Sequence, residues 1–547
     1  NTKMSNTDAY LGNPNLKKVN TPVEFTKEEV IEFTKCQQDP IYFMEKHMKI
    51  VSLDEGLVPF KMFDFQKKIV RTIDENRFTI CKLPRQSGKS TTTIAYLLHY
   101  AIFNPNSNIA ILANKSSTAR DILGRLQLAY ENLPKYIQQG VINWNKGNIE
   151  LENKSTIIAA ATSSSAIRGG SFNIIFLDEF AFVPANIAEM FFSSVYPTIS
   201  SGKSTKMIIV STPHGMNQFY KLWQDAQNKQ NDYVPIEVHW SEVPGRDEKW
   251  KEMTIRNTSE AQFQQEFECE FLGSVDTLIA PVKIKQTPYM TPLTSKGGVD
   301  MFERPTKGHQ YVCTVDVSRG VDKDFSAFLV IDVTSMPYKV VAKYRSQDIK
   351  PILFPHIIDK IAKAYNKAEI LVETNDIGQQ IAESLNYELE YPNLLMTTQK
   401  GRAGQILGAM YSGRGSGFGV RMTKQIKRIG CQNIKSLIEG DKMVINDFNI
   451  IEEMSTFARR GNSWMAEEGC NDDLMMCLVI FGWLSNQPFF KEMTNTNARQ
   501  QLYEEQEKLI EQDMAPFGFV DDGTPEEEKV EIDEYGTVWY PVVRKGH

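Results

Sequence analysis

Residues 78–90 read as a strand, a tight loop and a helix start. An apolar run over 78–83 meets Pro84-Arg85-Gln86-Ser87-Gly88, and Lys89-Ser90 then open a segment with Ile94, Leu97, Leu98, Ala101 and Ile102 on one face. No other feature constrains the fold as tightly. A strand feeding a helix through such a turn is half of a βαβ unit, which needs a parallel sheet with helices on its faces. The runs at 108–113, 155–160, 173–177, 206–211 and 233–238 alternate with helical patterns. They predict a mostly parallel sheet between 77 and 240.

The loop also has a chemistry. Backbone N–H groups at a loop and helix N-terminus converge on one phosphate cluster, and the helix dipole adds to their field. Lys89 would reach the terminal phosphates of ATP and Ser90 would sit on Mg²⁺, with Arg85, Gln86, Ser87, Gly88 and Thr91 completing the nucleotide cradle. Leu83 stands where the usual phosphate loop has its first glycine, so Gly-Lys-Ser alone could be chance. The run 173–177 decides the matter, because it ends in Asp178-Glu179. Carboxylates at the carboxyl end of a buried strand lie where open α/β sheets bind ligands. Asp178 is placed to hold Mg²⁺ through water and Glu179 to polarise the attacking water. Gln66, ahead of the loop, is a candidate adenine reader. Ser211-Thr212, at the tip of another strand, are candidates to sense the γ-phosphate and relay its loss. Arg85 is the candidate cation for transition-state charge, with Arg168 as its rival. His214 reads as a turn residue.

The second half repeats the logic with acids alone. Runs at 311–317, 326–333 and 339–346 predict a three-stranded antiparallel meander, followed by a helix (352–365), a strand (368–373) and a helix (378–385). Asp316 and Glu373 sit at strand ends, and Asp472-Asp473 open a last apolar helix. Carboxylates at separate element ends are what two-metal phosphodiester cleavage requires, with Mg²⁺ or Mn²⁺ as the hard cation. Each acid alone has a plainer reading, as an N-cap or a turn residue. The topology resembles the RNase H/integrase fold. Between the acids, Lys400, Arg402, Arg414, Arg421 and Lys424 are interleaved with glycines and read as the lining of a DNA groove. The fold class is therefore α/β: a P-loop NTPase domain with a parallel sheet, then an RNase H/integrase-like nuclease domain.

The expected organisation is a flexible arm (1–21), an ATPase motor domain with a helical front part and a lid (22–280), a linker or hinge (281–309), a nuclease domain (310–490) and an acidic tail (491–547). Proline and Gly297-Gly298 mark the linker. The net charge of −7 looks wrong for a DNA binder, but residues 501–536 hold thirteen acids and two lysines. Subtracting their −11 from −7 leaves about +4 on the remainder, which suits a transient grip on phosphates. Seven scattered cysteines without a CxxC pair predict free thiols in a reducing compartment. No apolar run reaches the ~18 residues of a membrane helix. The first twenty residues lack the apolar core of a secretory signal, and Met4 is a candidate native start.

In this order, Asp64-Phe65-Gln66, Pro84 to Ser90, Phe176-Leu177-Asp178-Glu179, Ser211-Thr212-Pro213-His214-Gly215, Asp316, Glu373 and Asn471-Asp472-Asp473 resemble the large terminase subunit of tailed double-stranded DNA phages, the T-even-like branch in particular. The resemblance spans roughly 25–490. It implies ATP-driven translocation of double-stranded DNA into a procapsid and an endonuclease that cuts concatemers. It also implies partners: a portal protein, a small terminase subunit, and copies of itself in a ring on the portal, a pentamer in this family. The setting implied is the host cytoplasm and, transiently, the portal vertex, with no membrane. It carries over Lys89 and Ser90 as phosphate and Mg²⁺ ligands, Glu179 as the catalytic carboxylate, Ser211-Thr212 as the coupling element, and Asp316, Glu373, Asp472 and Asp473 as metal ligands. Which of the two aspartates binds metal directly stays open. The rival readings are a repair or restriction helicase–nuclease and a scaffold that uses ATP only as a structural switch.

Overall fold

Continuous apolar strands with helices between them build a sheet covered on both faces. The computed structural model describes residues 8–52, 56–163, 167, 170–200, 202–274, 276–317, 325–375, 377–398, 404–408, 416–495, 531–532 and 538–539. Its first large sheet runs in the order Val234–Glu237, Phe78–Lys82, Lys206–Ser211, Ile174–Asp178, Asn108–Ala113, Thr156–Ala161, all parallel, and the antiparallel strands Asn148–Leu151 and Val141–Trp144 extend it. Successive side chains take opposite faces. Ile174, Phe176, Ile208 and Val210 join a core with the helices Asp64–Glu75, Lys89–Phe103 and Ser116–Glu131, whereas Ile175, Leu177, Met207 and Ile209 join another with Ala185–Ser200 and Gln218–Gln227. Burial on both faces explains why these strands are apolar without alternation. In the register, Val210 lies opposite both Cys81 and Asp178, so Ser211 and Thr212 emerge between the phosphate loop and the acid pair.

The second sheet has the order Thr294–Lys296, Val299–Met301, Tyr338–Ser346, Ser326–Asp332, Tyr311–Asp316, Glu369–Val372. Its middle is the expected antiparallel meander, and Glu369–Val372 adds in parallel beside Tyr311–Asp316. One face packs on the helices Phe354–Ala364 and Gly378–Glu383. The other is covered by Asp473–Ser485, whose residues from 473 to 484 are all buried, as a helix apolar on every side must be. This helix crosses Lys424–Glu439 through two glycines. A Cβ on Gly430 would stand 2.3 Å from the Val479 carbonyl oxygen, and one on Gly482 2.3 Å from that of Gly430.

Three stretches depart from the sequence expectation. Residues 8–20 are not a loose arm: Ala9–Tyr10 and Asn13–Lys17 pair as a hairpin, Leu16 is buried in the motor core, and Gln138 Nε2 donates to the Asn15 carbonyl at 3.0 Å. The front region, expected to be helical, contains the hairpin Lys49–Ser52 and Gly56–Pro59, in which Gly56 supplies a positive φ of 73°. The expected linker is folded. Pro281–Gln286 is a helix, Val299–Met301 pairs with Tyr338–Ser346, and the Tyr289 hydroxyl donates to Asp225 of the motor half at 2.9 Å while its ring packs on Phe448. Proline punctuation suggests a chain without partners, but the sheet edge of 338–346 needed covering. The cross-over lies earlier, where Ser274 N and Leu278 N donate to Ser455 and Phe457 carbonyls.

Residues 491–547 form a separate unit, in which Glu531–Ile532 and Val538–Trp539 pair antiparallel. The acidic stretch 501–530 lies outside the described residues. All seven cysteines are free thiols, six of them buried. No helix among the described residues is long and apolar enough to cross a membrane.

Candidate active sites

In the front half, the loop after Phe78–Lys82 turns through left-handed backbone at Gln86 (φ 56°) and Gly88 (φ 75°), and Lys89 begins the helix. Lys89 is buried and its Nζ donates to Thr212 Oγ1 at 2.7 Å; Ser90 Oγ donates to Asp178 Oδ2 at 2.7 Å. The phosphate loop, the acid strand and the 211–212 tip therefore meet at one point. Burial raises the Asp178 carboxyl above its ordinary value, with the Lys89 ammonium pulling it back. Its Oδ1 and the Ser87 hydroxyl are buried without hydrogen-bond partners among the described residues. Two orphaned oxygens in a lysine-bearing cradle fit a magnesium–phosphate group. Glu179 adopts left-handed backbone (φ 51°, ψ 40°), a strained geometry for a non-glycine residue that turns the chain off the strand axis. The Ser211 hydroxyl accepts from Ala181 N at 3.1 Å, two residues past Glu179, so the 211–212 tip grips the turn that carries this acid.

Gln66 is not a surface residue. It is 3% exposed, its Oε1 accepts from Phe63 N at 2.9 Å, and its Nε2 lies 2.7 Å from where a Gly88 Cβ would be. It underlies the phosphate loop. Arg85 is exposed, with Nη1 3.4 Å from Glu266. Gln86 is exposed and Thr91 half-buried. Arg168 lies outside the described residues. His214 stacks on Phe182 at 4.6 Å and pairs through Nδ1 with Gln265. A residue that sequence reading missed holds the loop from the lid side. Arg246 Nη2 donates to the Arg85 and Gln86 carbonyls at 2.7 and 3.1 Å, and its guanidinium stacks on Trp250 and Phe267. Its signal was an arginine just ahead of an aromatic-bearing amphipathic helix.

In the rear half, the parallel register brings Asp316 and Glu373 to the same level: Val315 faces Val372, and Glu373 N donates to the Val315 carbonyl at 2.9 Å. Asp473 is 7% exposed and accepts from Phe325 N at 3.2 Å. Asp472 precedes the helix and accepts from Ala466 N at 3.1 Å. Burial, reinforced by the Glu373 and Asp473 carboxylates, holds Asp316 well above the ordinary range, and the Asp316 and Glu373 carboxyls share a hydrogen bond. Burial also raises Glu373, opposed by Lys427 and by the Asn375 amide. Acids crowded this way repel unless a proton or a cation sits among them. An all-oxygen donor set suits Mg²⁺ or Mn²⁺.

Beside Glu373 opens a groove of about 660 Å³ lined by Thr374, Asn375, Thr398, Arg421 and Thr423. Arg421 and Lys424 are both exposed, Arg421 on its wall and Lys424 at the start of the adjoining helix. Lys400, Arg402 and Arg414 lie outside the described residues, as do Asp322 and Asp324.

A phosphate-loop α/β half joined to an RNase H-like half defines a two-headed, nucleotide-dependent nucleic-acid enzyme. Two family models match the chain: "Terminase large subunit, T4likevirus-type, N-terminal" over residues 80–286, and "Terminase RNaseH-like domain" over residues 313–487. The large terminase subunit of Thermus phage G20c is 21% identical over 463 residues, covering 78% of this chain and 87% of its own length. The HK97 bacteriophage large terminase structure aligns at 13% identity over 82% of this chain and 99% of that one, with a TM-score of 0.48. The large terminase of a thermophilic bacteriophage, solved in complex with ADP, aligns at 13% identity over 77% and 98%, with a TM-score of 0.33. The chain belongs to the terminase large-subunit family. Its work is phage DNA packaging, by an ATPase domain followed by a nuclease domain.

Proposed function

We propose that ATP hydrolysis in the front half drives double-stranded DNA into a procapsid, and that the acid cluster in the rear half cuts concatemeric DNA with two divalent cations. The observation that carries this reading is the pairing of two chemically different carboxylate sites on two separate sheets. One sits beside a buried lysine and orphaned oxygens, and the other is crowded with acids.

In the motor site, ATP supplies the phosphoanhydride and Mg²⁺ its countercharge. Lys89 and the loop N–H groups bind the phosphates, and Ser90 and Asp178 hold the cation. Glu179 orients water and takes its proton. Arg85 leaves Glu266 to meet developing charge. Ser211 and Thr212 pass the change to the Phe180–Phe182 turn. In the nuclease site, divalent cations supply Lewis acidity and an activated water. Asp316, Glu373 and Asp473 hold them, with Asp472 in support, while Arg421 and Lys424, together with Lys400, Arg402 and Arg414, steady the DNA backbone.

We further propose that the motor domain runs from the docked hairpin to about residue 272 and that the nuclease domain takes in 281–309. By family, the assembly is a ring on the portal vertex in the host cytoplasm, recruited with a small terminase subunit. The test is a crossed pair of variants. Glu179→Ala is expected to abolish ATP turnover and packaging while sparing Mn²⁺-dependent cutting, and Asp316→Ala to do the reverse. Loss of both activities in both variants overturns the division.

A further inference from the structure

One buried cation links the two halves. Arg345 lies near the end of strand Tyr338–Ser346, with its side chain 8% exposed. It pairs with Glu189, on the motor helix Ala185–Ser200 that follows the Glu179 turn, and with Glu453 of the nuclease half at 3.4 Å. Its guanidinium lies 4.4 Å over the Phe325 ring. Both nuclease-side contacts lead to the same acid. Phe325 donates its N–H to Asp473, and Glu453 Oε2 accepts from Met475 N at 2.8 Å, in the first turn of the helix that Asp473 opens. Arg345 therefore touches two supports of Asp473 and one residue of the motor.

The surroundings leave room for this contact to change. Clefts of about 410 and 220 Å³ flank Arg345. The larger is walled by Phe182 and His214 of the motor and by Glu453 and Asn471 of the nuclease. Packed interiors do not deform gradually, so an unfilled junction is where two packings can alternate. Glu189 is half exposed while Glu453 is 3% exposed, so the motor-side contact is the one that can be released. A buried arginine that loses one of its carboxylates must shift toward those that remain.

We propose that Arg345 is a positioning residue for the DNA-cutting site, and that Glu189 makes its pose depend on the nucleotide state of the motor. Movement of the Glu179 turn is carried by helix Ala185–Ser200 to Glu189, and Arg345 then resets Phe325 and Glu453, and with them Asp473. The inference rests on the reading of Asp473 as a metal-binding acid.

The experiment uses the full chain, with Mn²⁺-dependent cutting of linear plasmid DNA measured with and without a non-hydrolysable ATP analogue, alongside ATP turnover. Wild-type cutting is expected to change about fivefold or more with the analogue, the low end of ordinary coupling between sites. Glu189→Ala is expected to remove that response while ATP turnover and analogue-free cutting persist. Arg345→Lys is expected to raise the Mn²⁺ concentration for half-maximal cutting about tenfold, as loss of a supporting contact does. A Glu189→Ala protein that keeps the wild-type response overturns the inference, as does a wild-type protein with no response. Because Arg345→Lys alters a buried site, Glu189→Ala, at a half-exposed position, decides the matter if that variant fails to fold. If Asp473→Asn cuts normally, the metal-site reading has failed instead.

Discussion

The two acid sites share a position and differ in charge. Both stand at the carboxyl ends of buried strands. In the motor site, Asp178 has a buried ammonium and a hydroxyl beside it. In the nuclease site, Asp316 is crowded by Glu373, Asp473 and Asp472, and the cation that acts on Glu373, Lys427, spends its Nζ over the Phe457 ring at 5.6 Å. The first has the charge balance that suits an anion arriving with its metal. The second is a crowd of carboxyls, with Asp316 and Glu373 pushed upward by burial. Metal binding there should thus be in direct competition with protons, while at the motor site nucleotide and metal enter together.

Three measurements can break or sharpen this contrast. The largest effect is expected at the aspartate pair. Asp473 is buried beside Asp316, whereas Asp472 is half-buried and turned to Ala466 N. Asp473→Asn should lower cutting on the order of 10²-fold or more and Asp472→Asn about tenfold or less. Equal losses would mean both bind metal directly. Next, Arg246→Ala should weaken apparent ATP affinity about tenfold, because charge-assisted hydrogen bonds to two loop carbonyls are lost. Steady-state ATPase titrations check this, and cutting without nucleotide should not move. The smallest effect is thermal. Asp316 has a raised folded-state pKa, so the metal-free fold binds its proton more tightly than the unfolded chain and loses stability as pH rises above the unfolded value of about 3.9. Asp316→Asn should therefore raise the metal-free melting temperature at neutral pH, by about 2–4 °C per kcal/mol relieved, and change nothing below about pH 4. Added Mn²⁺ should stabilise the wild type and not the variant.

Much of this was legible in the sequence. Strands Asn108–Ala113 and Lys206–Ser211 have the bounds that their apolar runs predict, and the meander and its acids fall where expected. Strong periodicity and a buried β-environment say the same thing at each position, so the local signal suffices. What escaped was long-range polar pairing. Arg345 and Glu453 are 108 residues apart and Arg246 sits 161 residues from Arg85, so no local pattern ties them. A signal existed in hindsight: Lys343 and Arg345 are charges on alternate positions just after the apolar run 340–342, and burial there requires partners. The hairpin arm and the folded 281–309 stretch escaped for another reason. Short strands that complete a sheet edge or dock on a core are stabilised by what they cover, which their own composition does not reveal.

The glycine crossing has a mechanical consequence. Because Gly430 and Gly482 bring two backbones into contact, and the Asn433 amide donates across the seam to the Gly482 carbonyl at 2.9 Å, the helices that carry Lys427 and Asp473 are fastened at one close spacing. On the proposed reading of Asp473, the two helices would present that acid as part of a single jaw of fixed gape. Closing or opening that jaw must come from whole-body motion of the pair, since neither helix has freedom to slide past the other.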